Sequence, residues 1–180
     1  MSAVKILPHY TYEDYCLWEG RWELIEGIPF AMSPAPAPRH QWLAANIIRE
    51  LGNSIKKAKC KECRVYDFVD IKIEEDTIVQ PDVSIFCKST FDKFFDFPPA
   101  LAVEILSPAT ALKDRHNKFY LYQRFSIKYY LIVEEKSNEL EIFCLENSKY
   151  LLQNISPENP FTFSLSDDCK IDVVLKNIWE

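Results

Sequence analysis

The chain has 180 residues, of which 48% are hydrophobic and 27% are charged, and its formal net charge is −6 at pH 7. This length and composition predict one globular domain, residues 1–180, and exclude a long disordered chain. The negative charge excludes a broad basic surface, so nucleic-acid contacts would have to come from local patches. Because no apolar stretch is long enough to span a bilayer and no signal sequence is evident, we expect a soluble, cytoplasmic protein without membrane contacts.

The N-terminal third has three recognisable elements. Thr11 and Asp14 have the spacing of a capping box and predict the start of a short helix. Residues 21–30 contain two apolar runs around a glycine and predict a hairpin or a bent strand. After alternating prolines at positions 34–38, which predict a stiff extended linker, apolar residues recur at helical spacing over residues 40–55. This helix should pack on a sheet.

The remainder of the chain alternates strands with one helix. Residues 65–73 and 78–86 are rich in β-formers and predict an antiparallel pair. A helix ending near Phe125 follows the apolar run 101–106. In this helix Lys118 shares a face with apolar residues at spacings of three, four and seven, so its side chain should point along the apolar stripe. Two further strands are predicted after it, at residues 129–133 and 139–145, and weaker strand signals follow from Tyr150 onward.

The six cysteines show no spacing typical of a disulfide framework, and we predict free thiols in a reducing compartment. Cys60 and Cys63 have the spacing of half a zinc knuckle, but no second cysteine pair or histidine pair follows at a usable distance. A structural zinc site is therefore the less favoured alternative. The six positions are Cys16, Cys60, Cys63, Cys87, Cys144 and Cys169.

Glu104 is the most informative residue of the sequence. It is the single acid of the apolar run Leu101–Leu106, which predicts a strand that is buried on both faces. An ionised carboxylate is costly there unless a cation, hydrogen bonds or a metal compensates it. Asp82 stands at the entry of another apolar strand. Two strands that each carry one acid predict a site for a hard divalent cation such as Mg²⁺.

A lysine near these acids would add positive charge or act as a base. The candidates are Lys118 on the helix and Lys72 on a strand. Other readings stay open at this point. Glu104 could form a buried structural ion pair with Lys118 or Arg115, Lys118 could extend to solvent, and Asp82 could simply follow a proline in a turn.

Several motifs together resemble the Uma-type family of restriction endonucleases. The resemblance runs from about residue 10 to residue 146, with its motifs in the family's order. It implies an α/β (α+β) restriction-endonuclease-like core of the PD-(D/E)XK nuclease superfamily, in which helices flank a central mixed β-sheet and carboxylates bind magnesium. The residues that carry it are 22–27, Met32-Ser33-Pro34, His40, Pro81-Asp82-Val83, 103–108, Thr110, Asp114 and Lys118.

The resemblance also implies roles for particular residues. Asp82 and Glu104 would be the acids of the two nuclease elements and would bind the metal, with Glu23 as an additional acid and Glu26 as a less favoured one. The sequence departs from the pattern at Leu106, where a lysine is usual, and Lys118 is our candidate for its replacement. His40 would either contact a phosphate or water or simply belong to a helix start.

Asp70-Ile71-Lys72 spells the nuclease motif literally, but it precedes the Pro81-Asp82 element instead of following it. Both of its polar side chains also share one face of a strand patterned for exposure. We therefore interpret it as a chance match and assign the second acid to Glu104.

The sequence thus predicts a metal-dependent endonuclease that hydrolyses phosphodiester bonds in DNA. Mg²⁺ is the expected cofactor, Mn²⁺ a possible substitute, and a homodimer is a family expectation. The predicted catalytic residues are Glu23, Asp82, Glu104 and Lys118, the first three as metal ligands. The alternative is an inactive nuclease-fold protein that acts in DNA binding or protein assembly, and a third option is hydrolysis of a small phosphate ester.

Overall fold

Helices form a small part of the chain that the computed structural model describes, which comprises residues 8–32, 36–88, 93–107, 113–156 and 158–180. A π-helical turn, Lys113–Lys118, leads directly into the third α-helix, and the chain ends in a 3-10 helix at Leu175–Trp179. Among these residues no helix has both the length and the apolar character needed to cross a bilayer. The α-helices are α1 Tyr12–Tyr15, α2 Pro38–Lys57 and α3 Phe119–Arg124.

The strands form sheets of six, four and two strands. The large sheet has the order β10-β9-β8-β7-β6-β3, the small sheet the order β2-β1-β5-β4, and β11 pairs with β12. The strands are β1 Trp22–Ile25, β2 Ile28–Ala31, β3 Arg64–Asp67, β4 Ile71–Glu74, β5 Thr77–Val79, β6 Val83–Phe86, β7 Leu101–Leu106, β8 Tyr129–Glu134, β9 Glu139–Glu146, β10 Lys149–Leu152, β11 Phe161–Ser166 and β12 Cys169–Val173.

The large sheet is mixed, which confirms the predicted fold class. Its one parallel pair is β7 with β8, and the other neighbours are antiparallel. A parallel pair needs a long crossover, and here the π-helical turn and α3 supply it. β7 lies inside the sheet, and all six of its residues are buried, as its apolar sequence predicts.

The predicted antiparallel pair of residues 65–73 and 78–86 forms, but it is divided between two sheets. β3 pairs with β6 in the large sheet, whereas β4 pairs with β5 in the small one. The divisions fall at Phe68, whose φ is 42°, and at Pro81-Asp82. Asp82 therefore lies where the chain passes from the small sheet into the large one.

The two faces of the large sheet are covered by different helices. Alternate residues of β7 belong to different cores, so Val103 and Ile105 pack with α2, whereas Ala102 and Leu106 pack with α3. Glu104 alternates with Val103 and Ile105 in the same way as Ala102 and Leu106, so it lies on the face that α3 covers. The predicted apolar stripe of α2 is buried at Leu43, Ala44, Ile47, Leu51 and Ile55.

The N-terminal predictions are confirmed where the structure describes them. The backbone N–H of Thr11 donates to the Asp14 carboxylate at 2.9 Å, as in a capping box. β1 and β2 form the predicted hairpin, whose turn uses positive φ values of 50° at Glu26 and 74° at Gly27. A Cβ on Gly27 would lie 2.2 Å from the His9 ring, so this turn has no room for a side chain. Residues 34 and 35 of the proline linker lie outside the described residues.

The prediction of free thiols is wrong for four of the six cysteines. Cys60 is bonded to Cys169, and Cys63 to Cys87, with sequence separations of 109 and 24. The fold creates both pairs, because Cys63 and Cys87 flank the paired strands β3 and β6, while β12, which begins at Cys169, packs against α2. Both cysteines of the half zinc knuckle are thus in disulfides, and the cysteines do not support a reducing compartment.

Thiol labelling tests this pairing. Alkylation of the denatured but unreduced protein should modify two thiols, Cys16 and Cys144, and alkylation after reduction should modify all six. Reduction should lower the free energy of unfolding by about 2–4 kcal/mol for each of the two disulfides, because each crosslink restricts the unfolded chain. Mass spectrometry and urea unfolding measure the two effects.

The control for this experiment is Cys144→Ser, which removes a thiol outside both disulfides. Its unfolding free energy should fall on reduction by as much as that of the wild type. Six modified thiols in the unreduced protein would contradict the pairing.

Candidate functional site

The amine of Lys118 lies at the centre of a buried group of acids. Its Nζ is 2.7 Å from Glu23 Oε1, 2.8 Å from Glu104 Oε1 and 3.6 Å from Asp114 Oδ1. The Lys118 side chain is 1% exposed, so the reading in which it extends to solvent is wrong. The predicted helix face is the reason for this position, since Lys118 stands at the start of α3 on the side that packs on the large sheet.

Glu104 is held by two donors from the crossover segment. The Tyr122 hydroxyl donates to Glu104 Oε1 at 2.6 Å, and Lys118 donates to the same oxygen. The alternative partner Arg115 instead pairs with Glu141 on β9. The ion pair between Glu104 and Lys118 that we considered does exist, but Lys118 shares its charge with two further carboxylates.

Asp82 is fixed by the neighbouring strand and by α2. Its Oδ2 accepts the backbone N–H of Ile105 at 2.7 Å and lies 3.3 Å from His40 Nε2. This contact brings Asp82 beside the Glu104 strand, as predicted for two acids on adjacent strands. Burial would lower the pKa of His40, but the hydrogen bond and the charge of Asp82 outweigh burial and raise this pKa.

Glu23 is completely buried on β1. Besides Lys118, its Oε1 accepts the backbone N–H of Gln80 at 2.9 Å. The Gln80 side chain in turn accepts from Arg21 at 3.1 Å and donates to Asp70 at 2.6 Å. Glu23 thus links the small sheet to the lysine.

Asp114 is a member of the group that sequence reasoning used only as part of a motif. It is 2% exposed and precedes Lys118 by one helical turn. Its backbone carbonyl accepts the Tyr130 hydroxyl at 2.9 Å, which fixes the π-helical turn to β8. The spacing of four from Lys118 was the signal that could have found it.

Among the described residues, the group holds more negative than positive charge. Four carboxylates, those of Glu23, Asp82, Glu104 and Asp114, are at least nine-tenths buried, and Lys118 is the buried amine among them. Burial raises the pKa of Glu104 well above its usual range, although the charge of Lys118 opposes the shift. Burial would lower the pKa of Lys118, but Glu104, Glu23 and Asp114 outweigh burial and raise it well above its usual value. Such an excess of buried charge needs a further cation or a proton.

A cavity of about 410 Å³ opens beside this group. Asp82, Glu104, Asp114, Lys118 and His40 line one side, whereas Glu23 is not among the lining residues. Most of the other lining residues form an apolar wall that comes from β2, the segment before α2, and the loop after β3. This apolar wall consists of Pro29, Phe30, Ala31, Met32, Pro36, Ala37 and Phe68, and the cavity is also lined by Arg21, Ile105, Ser107 and Glu135.

The carboxylates at the cavity suit a magnesium ion that keeps water ligands better than they suit a metal bound by protein side chains alone. Among the described residues no three acidic, histidine or cysteine side chains are arranged around a common ion position. Mg²⁺ needs no such arrangement, because it is commonly bound through one or two carboxylates with water and substrate phosphate. Asp82 and Glu104, which both line the cavity, are the carboxylates that could hold it.

The other sequence candidates lie away from the cavity. Lys72 pairs with Glu75 at 2.7 Å, and Asp70 accepts hydrogen bonds from Gln80 and Tyr15. Neither of these two residues of the chance motif is among the lining residues. Glu26 is exposed and pairs with Arg124 at 3.3 Å. Leu106, at the usual lysine position, is buried in the core beneath α3.

Comparison with known proteins gives three similarities. The Uma2 family model, described as a putative restriction endonuclease, matches residues 11–170. The uncharacterized protein slr1290 of Synechocystis sp. (strain ATCC 27184 / PCC 6803 / Kazusa) is 29% identical over 146 residues, which are 76% of this chain and 74% of that protein. A crystal structure of a putative nuclease belonging to DUF820 from Anabaena variabilis ATCC 29413 has a TM-score of 0.74 and 13% identity over 94% of this chain and 97% of that one.

The crystal structure shows a shared fold, and the family match confirms the resemblance inferred from the motifs. Because the family model matches residues 11–170, most of the 180-residue chain, the chain belongs to the Uma2 family of putative restriction endonucleases.

Proposed function

We propose that the protein is a magnesium-dependent endonuclease that hydrolyses phosphodiester bonds in DNA. The observation that carries the proposal is that, among the described residues, buried carboxylates outnumber the cations beside them at the wall of an open cavity. Structural ion pairs tend toward balanced charge, because an uncompensated buried charge destabilises the fold. An unbalanced group that faces a cavity fits a site that takes up a cation together with a substrate.

In this proposal Asp82 and Glu104 hold the ion. A bound Mg²⁺ would lower the pKa of a water molecule and offset charge that develops on the phosphate. The backbone N–H of Ile105 and the ring of His40 orient Asp82, and the Tyr122 hydroxyl orients Glu104. Both carboxylates are therefore positioned before substrate binds.

Lys118 supplies fixed positive charge at the cavity wall. Its amine lies among three carboxylates, so it remains an ammonium and is suited to stabilising the developing phosphate charge, not to removing a proton. Glu23 does not line the cavity itself, but it contacts this amine, which does. We therefore assign Glu23 to positioning Lys118, and direct contact with the metal would require the lysine to release it.

DNA binding has to overcome the net charge of −6. The cations at the cavity wall are Lys118 and Arg21, with His40 beside Asp82. Because these positive charges are local, they should attract DNA only weakly over long distances. Binding of DNA at the site should depend on the bound divalent ion.

Glu104→Gln should remove cleavage while the protein remains folded. The amide keeps the shape and can still accept the Tyr122 hydrogen bond, but it loses the charge that binds the ion. We expect a fall of at least about a hundredfold in Mg²⁺-stimulated cleavage of plasmid and oligonucleotide DNA, as for loss of a group that acts directly on the transition state.

Glu141→Gln is the matched control. Glu141 lies in the same cross-strand row, since Glu104 is opposite Ile132 and Ile132 is opposite Glu141, but it pairs with Arg115 and does not line the cavity. Its cleavage rate should equal that of the wild type. If the wild type cleaves no DNA with Mg²⁺ or Mn²⁺ and calorimetry detects neither ion, the proposal fails and the inactive alternative is supported.

Magnesium should stabilise the fold through the same carboxylates. Binding to the native state alone adds about 2.7 kcal/mol at an ion concentration one hundred times the dissociation constant. The melting temperature of the wild type and of Glu141→Gln should therefore rise with Mg²⁺, and that of Glu104→Gln should not. EDTA should reverse the rise, and equal shifts in all three proteins would place the ion elsewhere.

Lys118→Met should destabilise the protein by about 3–5 kcal/mol, because it leaves buried carboxylates without their cation. Lys176→Met is the control, since Lys176 forms an exposed pair with Glu158. Chemical unfolding measures both changes, and the control should unfold like the wild type. Adding Glu23→Gln to Lys118→Met should recover part of the loss, and an additive loss would contradict their coupling.

A further inference from the structure

The apolar wall of the cavity has a half-buried aromatic residue that is not part of either hydrophobic core. Phe68 lies in the loop between β3 and β4 and lines the cavity. Neither group of core residues, nor the residues packed on them, includes Phe68. Its φ of 42° lies in the left-handed region, which is rare for a bulky side chain and occurs often at functional sites.

Arg21 supports the Phe68 ring. The guanidinium carbon lies 4.1 Å from the ring centroid, a cation–π stack. The same guanidinium donates to Gln80 Oε1 at 3.1 Å and 3.4 Å from two nitrogens, which fixes its plane. The ring is therefore held in place by polar contacts and not by core packing.

These contacts connect the ring to the buried acids. Arg21 binds the Gln80 side chain, and the Gln80 backbone N–H binds Glu23, which binds Lys118. One chain of hydrogen bonds thus fixes the aromatic wall relative to the charged wall. Such a link suits two subsites that must hold parts of one ligand at a constant separation.

The cavity size limits what that ligand can be. A volume of about 410 Å³ lies within the range of about 300–1,000 Å³ that is typical of small-ligand pockets. The charged wall would take a phosphate with its ion, so the apolar wall is left for an adjoining apolar, planar group. In a fully paired duplex the bases are stacked inside the helix and are not available to such a wall.

We propose that Phe68, with Met32 and Phe30 on the wall of the same cavity, binds one unpaired nucleobase of the substrate next to the phosphate at the acids. This inference rests on the proposed nuclease function and specifies its substrate as single-stranded DNA or unpaired DNA ends. Every base has a π-face, so stacking on Phe68 implies weak sequence preference at this nucleotide. Arg21 covers one face of the ring, and the base stacks where the ring faces the cavity.

The test uses a single-stranded oligonucleotide with 2-aminopurine, whose fluorescence falls when the base stacks on an aromatic ring. Binding is measured in the wild-type protein with Ca²⁺ in place of Mg²⁺, because Ca²⁺ takes oxygen ligands without the strict octahedral geometry of Mg²⁺ and the probe should remain uncleaved. Phe68→Leu should weaken binding about tenfold and remove the fluorescence change, since stacking contributes ~1–3 kcal/mol per base. Phe68→Trp should preserve both.

The matched control is Tyr120→Leu, which removes an aromatic ring that is 66% exposed and does not line the cavity. It should leave binding and fluorescence unchanged. Circular dichroism checks the fold of each variant. Arg21→Met provides a second variant that keeps Phe68, and it should also weaken binding because the ring loses its support.

Two further ligands complete the experiment. One is the same sequence as a fully paired duplex, and the other is the free nucleotide dAMP. We expect the single strand to bind more tightly than either of them. Equal binding of duplex and single strand, or binding unaffected by both Phe68→Leu and Arg21→Met, would overturn the base site. If dAMP binds as tightly as the single strand, free nucleotides are the ligand, and the proposal that a DNA strand binds here is overturned.

Failure of the two proposals can be distinguished. If wild-type protein cleaves duplex DNA with Mg²⁺ and the Phe68 variants behave like the wild type, the nuclease function stands and the base site fails. If Phe68-dependent fluorescence is seen but the wild type cleaves no DNA, the base site stands without the nuclease function.

Discussion

The interaction on which the site depends is the contact of the buried Lys118 amine with Glu23 and Glu104. It joins the crossover helix, the central strand of the large sheet and the hairpin of the small sheet at one point. An ammonium that has lost its water is tolerated there because several carboxylates surround it. The carboxylates are tolerated in turn because of the amine, the Tyr122 hydroxyl and backbone donors.

The site lies where the two sheets meet. The chain crosses from one sheet to the other at Phe68 and again at Asp82, and both crossings border the cavity. This arrangement gives the cavity unlike walls, because β7, the crossing at Asp82 and the π-helical turn bring buried acids while the hairpin and the loops bring apolar side chains. A carboxylate such as Asp82 can be positioned accurately here, because a backbone N–H of the neighbouring strand binds it.

Some of this could be predicted from sequence because it depends on local rules. The apolar stripe of α2, the hairpin turn at Glu26-Gly27 and the buried run around Glu104 follow from periodicity and turn chemistry. The helical spacing that placed Lys118 on an apolar face also predicted its direction correctly. The chance motif at Asp70 could be set aside because its residues share the face of a strand patterned for exposure.

The sequence by itself determined which apolar side chains would be buried and on which face of each element they would lie, because these follow from spacing along a helix or strand. Only the tertiary structure decided which side chains meet. Glu23 met Lys118, and Cys60 met Cys169 across 109 residues, through contacts between elements that are distant in sequence. The same holds for the division of one predicted strand pair between two sheets, since register and crossover are properties of the assembled sheet.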